Sequence, residues 1–169
     1  MILSFYSDGT CDNCLKGVPT QCRSYAKYNL SGVRADGDDH FTENGKHVSD
    51  MFNQSSFTTT TVVDQRNAVK VDSKLDLRKL GPLGCGYVTG SGTVFNTLKP
   101  KPGDTIAVFG TGAVGLAAMM AGRISGCIKV IAVDIVPERL ELAKELGATH
   151  AINSKEEDPV EKIKELTGG

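Results

Sequence analysis

One stretch of the chain restricts its fold more than any other, because an apolar run leads directly into closely spaced glycines. Residues 105–109 read Thr-Ile-Ala-Val-Phe, and Gly110, Gly112 and Gly115 follow in the spacing GxGxxG. A second apolar run ends at Asp134, nineteen positions beyond the last of these glycines. The order strand, glycine turn, helix, strand and acid is typical of a βαβ unit that binds a dinucleotide.

Each residue of the glycine turn has a physical reason to be there. Gly110 allows the tight turn, Gly112 lets the backbone approach a pyrophosphate, and Gly115 lets the helix pack closely on the strand. Ala113 precedes the predicted helix and Val114 opens it, and we expect the N-terminal amides of this helix to point at the phosphates. The sequence therefore predicts that residues 110 and 112–115 line a cofactor site.

The acid at the end of the second strand indicates which cofactor is bound. A carboxylate at Asp134 can accept hydrogen bonds from an adenosine ribose and repel a 2′-phosphate, which favours NAD over NADP. Arg139, one helical turn later, either braces the ribose or is a solvated helix charge. The alternative is that the glycines are ordinary turn residues and that Asp134 is only a polar strand end.

Composition excludes several classes of partner. The 169 residues are 40% hydrophobic and 23% charged, with a net charge of −1, as in a soluble globular protein. They show no basic stripe for nucleic acid, no apolar run of the ~20 residues that cross a bilayer, and no signal peptide. We therefore expect a cytoplasmic protein with no nucleic-acid or membrane partner.

The two halves of the chain differ in texture. The first mixes polar turns with strand-like pieces and predicts irregular β structure, with strands over residues 1–5, 57–63 and 69–71. The second alternates strands and helices, which predicts a parallel sheet with crossover helices, that is, an α/β fold. The predicted elements of this half are strands at 105–109, 129–133 and 150–152 and helices at 114–125, 137–146 and 159–166.

A glycine-rich segment over residues 81–93 joins the two halves. If it is helical, Cys85, Thr89 and Thr93 share one face, since residues four apart are neighbours on a helix. Its glycines are poor helix formers, so we expect packing or a ligand close to the backbone to hold it. Taken alone, Cys85 would be a buried core thiol, as Cys127 is expected to be.

Three of the five cysteines fall near an aspartate with spacing that suits a metal. Asp8, Cys11, Cys14 and Cys22 could complete the four-ligand shell of a structural zinc, because a carboxylate oxygen can replace a thiolate. The alternatives are a metal-free loop of buried thiols and a CxxC redox pair. The redox alternative is the weakest, because no helix is predicted after Cys11 and Cys14 to lower the pKa of the first thiol. The three histidines, His40, His47 and His150, are interpreted as structural or solvated.

These motifs together resemble the zinc-dependent medium-chain alcohol dehydrogenases over essentially all 169 residues. The family's structural-zinc motif, Cys-Gly-x-Cys-x-x-Cys-x7-Cys, is matched with Asp8 in place of the first cysteine, and we expect this exchange to weaken zinc binding. Gly84-Cys85-Gly86 matches the helix that supplies the third protein ligand of the catalytic zinc. Thr89 matches a residue near the nicotinamide, and Val114 matches one behind that ring. Three segments are similar to the aryl-alcohol (benzyl alcohol) dehydrogenases: residues 31–37, 52–57 and 81–86.

The resemblance implies two partial domains, a GroES-like domain with the zinc lobe over 1–86 and an NAD-binding Rossmann domain over 87–169. It implies zinc-assisted hydride transfer from an alcohol to NAD in a homo-oligomeric enzyme of about twice this length. We expect the sequence to be a fragment with little activity, because a catalytic zinc takes three protein ligands and Cys85 is one. The alternatives are a noncatalytic NAD-binding sensor, a zinc-independent reductase of the same superfamily and a small zinc-ribbon interaction module.

Overall fold

The computed structural model describes residues 5–37 and 41–169. Contacts divide the chain into two compact units, Met1–Asp76 and Leu77–Gly169, called here the N-terminal unit and the C-terminal unit. The domain division predicted between residues 86 and 87 stays a prediction. Among the described residues, no helix is both long and apolar enough to span a membrane.

The N-terminal unit holds few regular elements along its described residues. Helices α1 (Asp12–Leu15) and α2 (Tyr25–Asn29) are short, and strands β1 (Thr42–Glu43) and β2 (Lys46–His47) form a two-residue antiparallel ladder. Asn44 and Gly45 make the turn between the two strands, both with positive φ. Single turns of 3₁₀ helix lie at Pro19–Gln21 and Gln65–Asn67.

The strands predicted in this half are wrong where the structure describes them. Residues 57–63 and 69–71 form no β-ladder, and the side chain of Phe57 is fully exposed. A β-prone run becomes a strand only when a neighbouring strand satisfies its backbone groups, and this run of threonines has no such neighbour among the described residues. The strand predicted over residues 1–5 lies outside the described residues except for Phe5.

The C-terminal unit contains the predicted α/β repeat. Its three strands form a parallel sheet in the order β3-β4-β5, and a helix follows each strand. The predicted elements are confirmed with ends that shift by at most one residue. The strands are β3 (Thr105–Phe109), β4 (Lys129–Asp134) and β5 (His150–Asn153), and the helices are α4 (Ala113–Ile124), α5 (Pro137–Glu145) and α6 (Pro159–Thr167).

The central strand β4 organises the core of this unit. Val130 and Ala132 pack on one face of the sheet in a cluster that includes Met119 of α4. Ile131 and Val133 pack on the other face, against Ile152 and side chains of α6. Because both faces are covered, β4 is an uninterrupted apolar run instead of an alternating one.

Ahead of the sheet lies helix α3 (Gly86–Gly92), which continues as a π-helical segment, Thr93–Leu98. The predicted helix is therefore present, although Cys85 precedes it as the N-cap residue. Helix α3 packs against α4 so closely that a Cβ at Gly90 would lie 2.0 Å from the carbonyl oxygen of Val114. Close packing between two helices is what makes this glycine-rich segment helical, as expected from its poor intrinsic propensity.

Candidate functional site

The glycine turn links the end of β3 to the start of α4. Gly110 has a φ of +93°, in the left-handed region that side chains avoid. At Gly115 a Cβ would lie 1.9 Å from the carbonyl oxygen of Gly110, so a side chain there would push the helix off the turn. At Gly112 an added Cβ would meet no protein atom within 4 Å. The close approach at Gly115 is to the protein itself, whereas Gly110 is constrained by its φ alone, and the open side at Gly112 is where a ligand can approach the backbone.

Asp134 lies directly beside this turn. Its carboxylate Oδ2 accepts hydrogen bonds from the backbone N–H and the hydroxyl of Thr111, both at 2.7 Å. Its Oδ1 accepts from the backbone N–H groups of Ile135 at 2.7 Å and Val136 at 3.0 Å. The structure therefore brings together the acid and the glycine turn that the sequence placed in one unit.

These hydrogen bonds fix the charge of Asp134. Donation to the ionised carboxylate, led by the Thr111 hydroxyl, lowers the pKa of Asp134 to about 2. The side chain is only 9% exposed, and its charge is satisfied by the protein itself. A permanently negative group at this position can repel a 2′-phosphate at any physiological pH.

A concave surface of about 400 Å³ opens over the turn. Helix α3 contributes Gly90 to it, the π-helical segment contributes Thr93, and the end of β3 contributes the exposed Phe109. The rest of the lining is the turn and the first residues of α4: Gly110, Gly112, Ala113, Val114, Gly115 and Ala118. The cavity thus lies over the N-terminal end of α4, where free amides and the helix dipole favour an anion.

Cys85 and Thr89 lie at the start of α3. Thr89 donates its backbone N–H to the carbonyl oxygen of Cys85 at 2.9 Å, and Thr93 donates its hydroxyl to the carbonyl of Thr89 at 2.8 Å. The three residues therefore follow one another along one face, as predicted. Cys85 is exposed and Cys127 is buried, so the core interpretation holds for Cys127 and is wrong for Cys85.

The N-terminal unit contains the cluster predicted to hold a metal. Ligand atoms of Asp8, Cys11, Cys14 and Cys22 all lie within 4.8 Å of one another. The Sγ atoms of Cys11 and Cys14 are 3.5 Å apart, and Sγ of Cys22 is 3.3 Å from Oδ2 of Asp8. Tetrahedral zinc with ordinary bond lengths needs S–S and S–O separations of about 3.8 and 3.6 Å, so small side-chain movements would let the four residues hold the ion.

The aspartate in this cluster has a second set of contacts. Its Oδ1 accepts the backbone N–H groups of Thr10 at 2.8 Å and Cys11 at 2.9 Å. These two bonds, with Cys11 the larger contributor, hold the pKa of Asp8 well below its usual range. The carboxylate is therefore ionised and has Oδ2 on the side of the thiols, as a metal ligand requires.

The sequence predicted no helix after Cys11 and Cys14, and for that reason a redox pair was the weakest alternative, but that prediction is wrong. Helix α1 contains Cys14, and Cys11 is its N-cap residue. Hydrogen bonds from backbone amides, that of Arg23 first, lower the pKa of Cys11, while partial burial raises the pKa of Cys14 to about 12. The sequence signal for this helix was weak because it is only four residues long.

The remaining candidates lie apart from these clusters or on the surface. Arg139 is exposed on α5, so its two interpretations both stay predictions. A ring nitrogen of His47 lies 3.0 Å from the carbonyl of Gly32, and one of His150 lies 2.8 Å from the Thr149 hydroxyl. His40 lies outside the described residues.

Sequence reasoning missed Thr111. It occupies an unspecified position of GxGxxG, yet it is 2% exposed and supplies two of the four donors to Asp134. A hydroxyl-bearing residue one position after the first glycine, with an acid at the next strand end, is the signal that could have identified this pair.

Comparisons with known proteins agree with these observations. Residues 113–169 match the family model described as zinc-binding dehydrogenase. A geraniol dehydrogenase from Castellaniella defragrans is 44% identical over the whole of this chain, which covers 46% of that protein. The chain spans about half the length of the curated relatives that it matches.

Solved structures give the same result. An alcohol dehydrogenase zinc-binding domain protein from Burkholderia ambifaria aligns with a TM-score of 0.92 and 48% identity, over 99% of this chain and 46% of that one. A benzyl alcohol dehydrogenase from Acinetobacter calcoaceticus aligns with a TM-score of 0.89 and 45% identity, over 99% and 45%. With the glycine turn, the acid of β4 and the α/β repeat in place, the chain is similar to zinc-binding alcohol dehydrogenases over its whole length.

Proposed function

We propose that this chain is the cofactor-binding part of an NAD-dependent alcohol dehydrogenase that oxidises a primary alcohol to an aldehyde. The family implies NAD and zinc as cofactors. The observation that carries the proposal is the contact of Asp134 with Thr111, because it sets a permanent negative charge beside the glycine turn. Residues 110 and 112–115 then take the pyrophosphate, and Asp134 takes the adenosine ribose.

Other residues of the C-terminal unit have roles in the same proposal. Thr89 contacts the nicotinamide, and Val114, which is 46% exposed, packs behind that ring. Arg139 braces the ribose. Cys85 is one ligand of the catalytic zinc, which its exposed position permits. Zinc, when bound, supplies a Lewis acid that stabilises the alcohol oxygen as hydride leaves for the nicotinamide and a proton leaves for solvent.

Two relatives support a substrate class. Geraniol and benzyl alcohol, named for two of them, are both primary alcohols whose reacting carbon adjoins an unsaturated carbon. We propose a substrate of that kind, with this chain forming a homo-oligomer in its full-length enzyme. Asp8, Cys11, Cys14 and Cys22 bind a structural zinc in the N-terminal unit.

A second candidate is NAD binding without turnover by this chain. Among the residues that the structure describes, the one group of three or more possible metal ligands is that of Asp8 and the three cysteines, and Cys85 is not in it. A catalytic zinc needs three protein ligands. We therefore propose that these 169 residues bind NAD and turn over little or no alcohol.

Calorimetric titration with NAD and NADP tests the cofactor assignment. We expect NAD to bind at least about tenfold more tightly than NADP, because the charge of Asp134 opposes a 2′-phosphate. Asp134→Asn removes that charge and narrows the difference, whereas Asp104→Asn, an exposed carboxylate of the same unit, leaves it unchanged. Equal affinities in the wild-type chain, or no binding, would contradict the proposal.

A second assay tests turnover. The chain is loaded with zinc and supplied with NAD and benzyl alcohol or geraniol, and formation of the reduced nicotinamide is followed by absorbance. We expect no rate above the protein-free blank. A robust rate would show that Cys85 is not limiting and would contradict the proposal of binding without turnover.

A further inference from the structure

The carboxylate of Asp134 has no acceptor position left for a ligand. An ionised carboxylate offers about four lone-pair sites. Two are filled at Oδ1 by the backbone N–H groups of Ile135 and Val136, and two at Oδ2 by the N–H and hydroxyl of Thr111. A ribose hydroxyl that donates to this carboxylate must therefore replace one of these four donors.

The four donors differ in their freedom to leave. Three are backbone amides of the turn and of the residues after β4, and moving them would distort the chain. The fourth is the Thr111 hydroxyl, which can leave by a change of side-chain rotamer while the backbone stays in place. Thr111 is 2% exposed, so solvent does not compete for its hydroxyl before a ligand binds.

We propose that the Thr111 hydroxyl is a placeholder for a ribose hydroxyl. It satisfies Oδ2 of Asp134 when the site is empty and turns away when the adenosine ribose donates to the same oxygen. The inference rests on the proposed function, since it concerns the NAD site. It makes Thr111 a positioning residue that acts through Asp134 and tunes cofactor affinity.

The placeholder has two opposite consequences. It stabilises the empty protein, because a buried charged acceptor without its donor is costly. It also weakens cofactor binding, because the incoming ribose must displace an existing hydrogen bond. Removing the hydroxyl should therefore lower the stability of the free chain and raise its affinity for NAD. A residue that only orders Asp134 would lower both.

The test uses Thr111→Val, which removes the hydroxyl at nearly constant volume, beside Thr111→Ser, which keeps it. Thr167→Val is the matched control, since it removes an exposed hydroxyl bond to the carbonyl of Ile163 in α6. We expect Thr111→Val to bind NAD and AMP about tenfold more tightly and to unfold at a lower temperature. Thr111→Ser and Thr167→Val should stay within about twofold of the wild-type affinity.

A second ligand separates the ribose from the rest of the cofactor. The gain in Thr111→Val should disappear with 2′,3′-dideoxyadenosine 5′-monophosphate, which has no ribose hydroxyl to donate. Folding of each variant is checked by circular dichroism, and Thr111→Ala replaces Thr111→Val if the latter does not fold.

Two outcomes would overturn the placeholder alone, and a third would overturn the proposed function. Affinity that is unchanged or lower in the folded hydroxyl-free variant overturns the placeholder while leaving NAD binding intact. A gain that persists with the dideoxy ligand overturns it too. A wild-type chain that binds neither NAD nor AMP contradicts the proposed function itself, and the inference falls with it.

Discussion

The interior of the C-terminal unit is stabilised by different interactions from the interior of the N-terminal unit. In the C-terminal unit, Met119, Val130 and Ile131 are each fully buried in apolar surroundings. In the described part of the N-terminal unit, Cys22 is the one buried hydrophobic residue, and the other buried residues are polar: Ser7, Asn29, Asp50, Asn53 and Asn67. The C-terminal unit therefore depends on removing apolar surface from water. The N-terminal unit depends more on pairing buried polar groups, although neither carboxylate oxygen of Asp50 has a hydrogen-bond partner among the described residues.

Asn29 shows what polar pairing achieves in the N-terminal unit. Its side chain accepts the backbone N–H of Tyr6 at 2.6 Å and donates to the carbonyl oxygens of Tyr6 at 2.8 Å and Tyr25 at 2.9 Å. The side-chain amide of Asn29 thus pairs backbone N–H and C=O groups, as a neighbouring strand does in a β-sheet. Pairing of this kind specifies one conformation, but the loss of a single partner leaves a buried polar group unsatisfied and lowers the stability of the unit.

The largest expected effect is on the glycine turn. Gly115→Val would force a side chain into the 1.9 Å approach to the Gly110 carbonyl, and we expect it to destabilise the C-terminal unit by more than about 3 kcal/mol. Hydrogen exchange read peptide by peptide should show a loss of protection over residues 105–167 and no such loss over residues 5–37.

Gly112→Ala is the matched control for that substitution. Its Cβ meets nothing in the protein, so protection should stay near the wild-type level while NAD affinity falls. Equal stability of Gly115→Val and Gly112→Ala would show that the close approach does not hold the turn together.

Met119→Ala tests the apolar side of the comparison. The side chain is fully buried, and its truncation leaves a cavity that should cost about 3 kcal/mol. Exchange rates in the C-terminal unit report this loss. Met120→Ala, at a partly buried position next to it, should cost less than half as much. A similar cost for the two would argue against the core as described.

Zinc should act on the N-terminal unit alone. At a free concentration one hundred times its dissociation constant, zinc should stabilise that unit by about 2.7 kcal/mol, and chelation should remove this protection around residues 8–22. Asp8→Cys should bind zinc more tightly, because thiolate is the softer donor. Unchanged exchange on adding zinc, measured on metal-stripped protein, would contradict the structural site.

The smallest expected effect is on the pH dependence of stability, and it appears only in acid. Because the folded-state pKa of Asp134 is lowered to about 2, its contribution is complete above the unfolded value near 3.8 and is lost as the pH falls through about 2. Asp134→Asn should flatten the acid dependence of the C-terminal unit between these values. Thermal unfolding from pH 5 to pH 2 measures it. A variant with the wild-type slope would show that Asp134 does not set it.

The sequence was sufficient for the C-terminal unit because local patterns and global packing agree there. The run from Thr105 to Phe109, the glycines after it and the apolar strand ending at Asp134 each indicate their element, and the sheet uses all of them. Residues 57–63 are also rich in β-prone residues but have no neighbouring strand among the described residues, and propensity cannot supply one. The spacing of Asp8 and the three cysteines predicted their clustering, whereas Thr111 carried no periodic signal.

The bonds from Thr111 to Asp134 also bear on how the sheet assembles. Side chains alternate across a strand, so a one-residue slip of β4 would send Asp134 to the opposite face and leave the Thr111 hydroxyl without its acceptor. Apolar neighbours such as Ile131 and Val133 would tolerate such a slip far better than this polar pair. The bonds between Thr111 and Asp134 therefore form only when β4 has its native register. We expect a chain with β4 out of register to have a disordered loop at residues 110–112.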